Sequence, residues 1–414
     1  MGGANSLEQV FLALAVVVIA SRAVGAVFKR LHQPPVLGEV LAGILLGPSL
    51  LGNLAPEVMH SIFPSAVLPS LTTISQVGIV IFMFLVGLEL DVSSVRDRKR
   101  TVLGVSTAGI LAPFTLGLGL AYSLLAKLAP PGVPLTSFAL FMGVAFSITA
   151  FPVLARILTD RELQKTNLGS IALTCAAAGD AAAWCMLAIV IGVVNSRLGG
   201  AVLTSILAVA YVGVMALLVR PLLRRFIDNF ERSPHREQQL MAVVFVTLLL
   251  SCVATEAIGI HALFGAFVLG AVIPHDSWVA ETFHDKLYHF VVVILLPAFF
   301  ALTGLRTEIG LIEGAQWLTC GLIVLAAFAG KFGSATLASR ATGQSWRDSA
   351  ALGILMNTRG LMELIVLNIG LELGVITSTL FAMMVIMALV TTFAAAPILD
   401  FILRADTAPV HAAE

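Results

Sequence analysis

The sequence predicts an all-α integral membrane protein, and three observations support this fold class. The 414 residues are 58% hydrophobic and only 12% charged, with a mean hydropathy of +1.00, whereas a soluble domain carries about 25% charged residues. Apolar segments long enough to cross a bilayer recur along the whole chain. The loops between them are alternately rich and poor in basic residues. This pattern excludes a disordered chain, a disulfide-stabilised secreted scaffold and an ordinary soluble enzyme.

About thirteen candidate transmembrane helices follow one another, because a bilayer core needs roughly 20 apolar residues per helix. The first lacks a basic leading region and is too long for a signal peptide, so we interpret it as a retained helix. We expect no soluble regulatory domain after the last one. The approximate spans are 7–28, 35–52, 69–90, 101–127, 136–158, 167–194, 200–222, 238–257, 259–275, 287–304, 314–339, 347–370 and 376–403.

The basic residues indicate the orientation of these spans. With the N-terminus outside, eighteen of the 24 Lys and Arg residues fall in inner loops, three in outer loops and three inside spans. Basic loops stay on the cytoplasmic side. We therefore predict a multi-pass cell-membrane protein with its N-terminus outside and its C-terminus in the cytoplasm. The net charge of zero favours no nucleic-acid partner.

Two pairs of segments echo each other along the chain. Span 2 contains VLGEVLAG at 36–43 and span 9 contains LFGAFVLG at 263–270, while FLVGLELD at 84–91 closes span 3 and ALTGLRTE at 301–308 follows in span 10. The offset of seven helices is odd, so the two copies face opposite ways, as in secondary transporters. We predict a first repeat over about 7–194, a linker helix over about 200–222 and a second repeat over about 238–403. The alternative is that Gly-rich apolar helices resemble one another by composition.

The same offset pairs span 5 with span 12, and each carries an interruption. Span 5 contains SITAFP at 147–152 and span 12 contains NTRG at 357–360. Pro152 removes a backbone donor, and Gly360 lets the backbone unwind. Broken helices at corresponding positions of two halves indicate a binding site, because half-helix ends present dipoles and free carbonyls to ions. The alternative is that Pro152 only kinks its helix and Thr149 bonds within it.

Two charged residues lie in the middle of predicted spans, where a charge costs on the order of 3 kcal/mol. Asp180 is surrounded by alanines and a glycine in span 6, so other helices or water can approach it closely. A carboxylate facing a cavity there can bind a cation and a proton in competition. Lys331 lies at a similar depth in span 11, either as a permanent structural partner of Asp180 or as a group released when a cation binds.

Three further charges accompany the broken stretch or line its approaches. Arg359 and Glu363 are four residues apart, so they share a helix face and can pair; the arginine is expected mainly to brace the unwound helix. Glu89 near the inner end of span 3 and Glu39 in span 2 either line an ion path or are satisfied structural carboxylates.

Taken together, the chain resembles the monovalent cation:proton antiporter-2 family, in its branch of bacterial Na⁺ or K⁺/H⁺ antiporters and plant cation/proton exchangers. Each motif alone is weak, and the set runs from about 33 to 365. The motifs are QPPVLGE at 33–39, FLVGLELD at 84–91, SITAFPV at 147–153, GD at 179–180, GK at 330–331 and NTRGLMELI at 357–365.

The resemblance implies a sodium/proton antiporter fold with crossed broken helices, a dimerisation domain and an elevator-like movement of the core. It implies that Asp180 binds cation and proton, that Thr149 adds an oxygen ligand and that Lys331 pairs with or modulates the aspartate. It also implies a homodimer in membrane lipid, with no cofactor beyond the transported ions. We place the remaining site residues in two groups: Ser147 and Gly179 with the cation site, and Asn357, Thr358, Pro152, Arg359 and Glu363 with the stabilisation of the broken helices.

One residue departs from the family pattern. Electrogenic relatives carry two adjacent aspartates and electroneutral ones often carry Asn-Asp, but here Gly179 precedes Asp180. A single titrating carboxylate favours one proton per cation, although Lys331 could supply a second.

Two other transport functions compete with cation/proton exchange. A passive cation channel needs no broken inverted repeat, and a sodium-coupled organic-solute transporter is expected to have a roomier polar site. No GxSxG, HExxH or paired intramembrane aspartates support an intramembrane enzyme, so we expect no enzymatic activity.

Overall fold

The computed structural model of the chain describes residues 4–88, 99–123, 126–163, 166–195, 198–228, 234–274 and 277–404. Throughout these residues the secondary structure is helical, without a strand. Ten of their helices are long and apolar enough to cross a membrane, and Leu135–Ser147 and Ala262–Val272 are shorter apolar helices. The prediction of an all-α membrane protein is confirmed.

The α-helices of the described residues are named in chain order. They are Ala4–Arg30 (α1), Pro35–Leu46 (α2), Leu51–Leu54 (α3), Pro56–Ile62 (α4), Leu68–Leu88 (α5), Lys99–Ser123 (α6), Leu135–Ser147 (α7), Phe151–Asp160 (α8), Asn167–Asn195 (α9), Leu198–Val214 (α10), Arg220–Asp228 (α11), Pro234–Ile258 (α12), Ala262–Val272 (α13), Trp278–Phe290 (α14), Leu296–Leu305 (α15), Gln316–Ala341 (α16), Trp346–Met356 (α17), Leu361–Glu372 (α18) and Ser378–Arg404 (α19).

Ten of the predicted spans coincide with the long apolar helices. The other three are shorter: 259–275 corresponds to α13, while 136–158 and 347–370 are each divided into two half-helices, α7 with α8 and α17 with α18. The number of membrane crossings stays a prediction.

The predicted start of the tenth span at 287 is wrong, because the helix begins at Trp278. Polar residues on one face of α14 lower its hydropathy, although Phe283 on the other face is fully buried. The hydroxyl of Ser277 accepts the N–H of Ala280 at 3.3 Å and caps this start. A hydropathy pattern detects the apolar half of such a helix and misses the amphipathic half.

Two π-helical turns join consecutive helices. Met215–Val219 links α10 to α11, and Val291–Leu295 links α14 to α15. Each turn is followed two residues later by a proline, Pro221 and Pro297. A proline lacks the N–H of the next hydrogen bond and its ring displaces the carbonyl one turn earlier, so a single wide turn keeps each helix continuous.

The chain divides into two compact units. The first comprises Met1–Ser21, Leu54–Val92 and Trp184–Leu302. Within it α5 packs along α13, and glycines allow the backbones to touch. A Cβ at Gly87 would lie 2.3 Å from the carbonyl oxygen of Phe267, and a Cβ at Gly270 would lie 2.2 Å from that of Phe84.

The second unit comprises Arg22–Asn53, Ser93–Ala183 and Thr303–Glu414. Within it α6 packs on α7 and α16, and α16 packs on α17 and α19. A second glycine crossing joins α2 to the end of α15, because a Cβ at Gly304 would lie 2.4 Å from the carbonyl oxygen of Val40.

The close helix contacts at Gly87 and at Gly304 involve the same segments whose sequences are similar to each other. Span 3 crosses span 9 in the first unit, and span 2 crosses span 10 in the second. Exchanging 2 with 9 and 3 with 10 turns one crossing into the other, which is the relation that a twofold repeat requires. The repeat and its bounds stay a prediction.

Candidate functional site

Two helix breaks meet inside the second unit. Residues 148–150 separate α7 from α8, and residues 357–360 separate α17 from α18. The N–H of Ala150 donates to the carbonyl oxygen of Thr358 at 2.9 Å. The hydroxyl of Thr149 donates to the carbonyl oxygen of Met356 at 3.1 Å. The two interruptions predicted from the sequence therefore lie against each other.

Each break has a residue that starts the second half-helix. Gly360 has a φ of +159°, which an L side chain rarely adopts, and a Cβ there would lie 2.8 Å from Cγ2 of Val153. Pro152 is the second residue of α8, where a missing N–H costs little; its side chain lies outside the described residues. These residue types allow the chain to leave one half-helix and begin the next within three or four residues.

Arg359 lies in the second break with no exposed surface. Its Nη1 donates to the carbonyl oxygen of Ala145 at 3.0 Å and pairs with Oε2 of Glu363 at 2.5 Å. Its Nη2 donates to the carbonyl oxygen of Phe146 at 2.8 Å. The guanidinium therefore satisfies free carbonyls at the C-terminal end of α7, where the helix dipole is negative.

Lys331 binds a further free carbonyl oxygen at the C-terminal end of α7. It projects from α16, is buried, and its Nζ donates to the carbonyl oxygen of Ser147. Two cations thus satisfy three consecutive carbonyls, those of 145, 146 and 147. The hydroxyl of Ser147 donates within its own helix to Gly143 at 2.7 Å and also to the carbonyl oxygen of Ile110 at 3.2 Å.

Asp180 lies in α9 and is 1% exposed. Among the described residues, neither of its carboxylate oxygens has a hydrogen-bond partner of normal geometry. It forms no ion pair within 4 Å there, but its charge interacts with Lys331 and with the backbone N–H of Phe151, the first residue of α8. The carboxylate is therefore beside the helix crossing without being bonded to it.

The residues next to Asp180 in α9 have small side chains. A Cβ at Gly179 would meet no heavy atom of the described residues within 4 Å, and the neighbouring Ala176 is fully buried. Small side chains leave space that oxygen ligands or water can share with the carboxylate.

Thr392 of α19 hydrogen-bonds to the second break, and no sequence pattern indicated this role. Its hydroxyl accepts the N–H of Arg359 at 2.8 Å and donates to the carbonyl oxygen of the same residue at 2.7 Å. The hydroxyl of Thr358 donates to the carbonyl oxygen of Leu355 at 2.8 Å. A threonine in an apolar helix usually bonds within that helix, so only the fold reveals the partner of Thr392.

Asn357 behaves differently from its neighbours. It has no exposed surface, and neither its Oδ1 nor its Nδ2 has a hydrogen-bond partner among the described residues. The expected bracing role of its side chain is therefore supported by no hydrogen bond, whereas Arg359, Thr358 and Glu363 all make such bonds.

Of the two carboxylates proposed to line an ion path, the structure describes only Glu39. Glu39 is buried in α2, where its Cγ lies 4.0 Å from a Cβ at Gly25 and its charge interacts with Arg22. Glu89 lies outside the described residues.

A helical membrane protein with two crossed, broken helices around buried charges has the architecture of a secondary transporter. The chain belongs to the sodium/hydrogen exchanger family, since the model of its transmembrane region matches residues 13–405.

The chain spans nearly the whole length of one relative and about half the length of another. The chain is 42% identical over 410 residues to the Na⁺/H⁺ antiporter NhaS4 of Synechocystis sp., covering 98% of this chain and 99% of that one. It is 40% identical to cation/H⁺ antiporter 20 of Arabidopsis thaliana, covering 95% of this chain and 49% of that one. It shares its fold with the sodium proton antiporter MjNhaP1 of Methanocaldococcus jannaschii, with a TM-score of 0.70, 16% identity and 97% of each chain covered.

Proposed function

We propose that this chain exchanges a monovalent cation, Na⁺ or K⁺, for a proton across the membrane, with Asp180 as the shared site. The supporting observation is a buried carboxylate without a bonded partner, placed beside two half-helix ends in a sodium/hydrogen exchanger chain. A carboxylate holds either a proton or a cation, so each displaces the other. This competition couples the two movements.

We propose that the two broken helices, α7 with α8 and α17 with α18, move together as a unit during transport. Arg359 and Lys331 hold the end of α7, and Thr392 holds the second break, so these helices can shift together without exposing free carbonyls. We propose that an elevator-like movement of this kind presents Asp180 alternately to the two sides of the membrane.

The test uses the purified chain in lipid vesicles with an imposed proton gradient. Addition of Na⁺ or K⁺ is expected to release protons, followed with a pH-sensitive dye. Asp180→Asn keeps the size of the side chain but cannot bind and release the proton, so the signal is expected to fall to the level of empty vesicles.

Asp400→Asn is the matched control, since it makes the same change at a carboxylate that is paired with Arg161 at 2.7 Å. It is expected to leave the exchange unchanged. Exchange that persists in Asp180→Asn would exclude Asp180 as the shared site. A wild-type chain that releases no protons with either cation would contradict the proposed function itself.

A further inference from the structure

Asn357 is the one residue of the second break whose side chain makes no hydrogen bond, although every other polar side chain of 357–360 makes at least one. Its amide is fully buried. Buried polar groups are nearly always paired, and an unpaired one costs about 1–3 kcal/mol. Both amide atoms of Asn357 are therefore open to a partner other than a protein group.

Hydrogen bonds connect the stretch that contains Asn357 to the stretch that precedes α8. Its two neighbours in sequence, Met356 and Thr358, receive hydrogen bonds from Thr149 and Ala150. The backbone N–H of the next residue, Phe151, interacts electrostatically with the Asp180 carboxylate. One short stretch of backbone thus joins the unpaired amide to the unpaired carboxylate.

We propose that the side-chain oxygen of Asn357 is a ligand of the transported cation, together with Asp180. This inference rests on the proposed function. An amide oxygen is a carbonyl dipole, the kind of group that replaces the hydration shell of a monovalent cation. Because it is neutral, it adds coordination without adding a second titrating carboxylate. It therefore fits a site in which one cation exchanges for one proton.

The test is the apparent KM for Na⁺ and for K⁺ in the vesicle assay, compared between the wild type and two variants. Asn357→Ala removes the amide, and Asn357→Leu removes it while keeping the volume. Both are expected to raise the apparent KM about tenfold, which corresponds to losing one buried polar contact. They are also expected to change the ratio of the two KM values, with little change in the rate at saturating cation.

Ser349→Ala is the matched control. Ser349 lies two turns earlier on α17, is fully buried and also has an unpaired hydroxyl, but it is remote along the helix from the break. Its KM values are expected to match the wild type. If Ser349→Ala raises KM as much as Asn357→Ala does, or if Asn357→Leu restores the wild-type KM, the proposed ligand role is wrong.

Cation binding measured without transport separates the two proposals. Na⁺ or K⁺ is expected to raise the melting temperature of the wild-type protein in detergent relative to choline, because a ligand that binds only the folded state stabilises it. Asn357→Ala is expected to melt at the wild-type temperature in choline but to lose the shift. A normal shift in Asn357→Ala overturns the ligand role alone. If the wild type shows neither a shift nor exchange, both proposals fail.

Discussion

At the scale of single residues, two basic side chains, those of Arg359 and Lys331, bind backbone carbonyl oxygens at the helix break. Arg359 also pairs with the carboxylate of Glu363. Arg359 and Lys331 between them satisfy the carbonyls of 145, 146 and 147. A broken helix inside a membrane leaves such groups without water, and each unsatisfied one costs several kcal/mol. The cations therefore stabilise the break that makes the site possible.

Removing the guanidinium of Arg359 is expected to destabilise the fold strongly. Arg359→Met leaves Glu363 buried and unpaired, and breaking a buried pair costs about 3–5 kcal/mol. The measurement is unfolding of the purified protein in detergent. Arg161→Met breaks a pair with Asp400 that is partly exposed, so its expected cost is about 0–1 kcal/mol. Equal losses in the two variants would contradict the bracing role of Arg359.

The shared-site proposal also predicts a direction for the effect of pH. Lowering the pH on the side where the cation is added increases the fraction of Asp180 that holds a proton, so the apparent KM for Na⁺ is expected to rise. The rate at saturating cation is expected to stay constant, because enough cation displaces the proton. A fall in that rate with an unchanged KM would indicate separate sites for the two ions.

The sequence predicted most of these residues but not their partners. The spacing of Arg359 and Glu363 predicted their pair, which is confirmed. Lys331 was expected near Asp180, and the two charges interact, but its ammonium group forms its hydrogen bond with the carbonyl of Ser147. Depth along a helix can be counted from the sequence, but the direction in which a side chain leaves a tilted helix cannot. The bond between Thr392 and Arg359 spans 33 residues, and no local pattern indicates it.

At the scale of helices, glycines determine how closely the crossing pairs approach. Gly304 of α15 lies against the backbone of α2, and Gly87 of α5 lies against that of α13. Without a hydrophobic difference between helix and lipid, such close contacts supply much of the association between membrane helices.

Gly304→Ala is therefore expected to destabilise the protein by about 1–3 kcal/mol, since its Cβ would overlap the carbonyl oxygen of Val40. Gly321→Ala is the matched control in α16, because a Cβ there would meet nothing within 4 Å among the described residues. Alanine is the better helix former, so this control is expected to be neutral or stabilising by up to about 1 kcal/mol. Detergent unfolding distinguishes the two. An equal response of both glycines would show that the crossing is not tightly packed.

The positions of the helices could be predicted where the apolar pattern was continuous. The prediction failed where the pattern was interrupted by an amphipathic stretch. The breaks at 148–150 and 357–360 were predicted because proline, glycine and polar residues interrupt long apolar runs. The start at Trp278 was missed because half of that helix is amphipathic. The similarity between segments 36–43 and 263–270, and between 84–91 and 301–308, predicted a repeat, which stays a prediction.

At the scale of the whole molecule, the asymmetry of the basic residues predicts the orientation. Single cysteines placed at Lys127 and at Ala341 test it, in a background without the native Cys175, Cys185, Cys252 and Cys320. A membrane-impermeant maleimide is expected to label Lys127→Cys on intact cells, because that loop is predicted outside. Ala341→Cys is expected to react only after permeabilisation. The opposite result would reverse the orientation.

The buried charges around the crossing have a consequence for the energetics of the whole cycle. If Asp180 is the shared site and Lys331 keeps its proton throughout, the site carries the same total charge whether Asp180 holds a proton or, in its ionised form, a monovalent cation. A potential of 100 mV does about 2.3 kcal/mol of work on each elementary charge that crosses. If the proton-loaded and the cation-loaded forms carry the same charge across the membrane, the electrical work done during the movement in one direction is returned during the movement in the other. The membrane voltage then cannot drive net exchange, and the two concentration gradients alone set its direction.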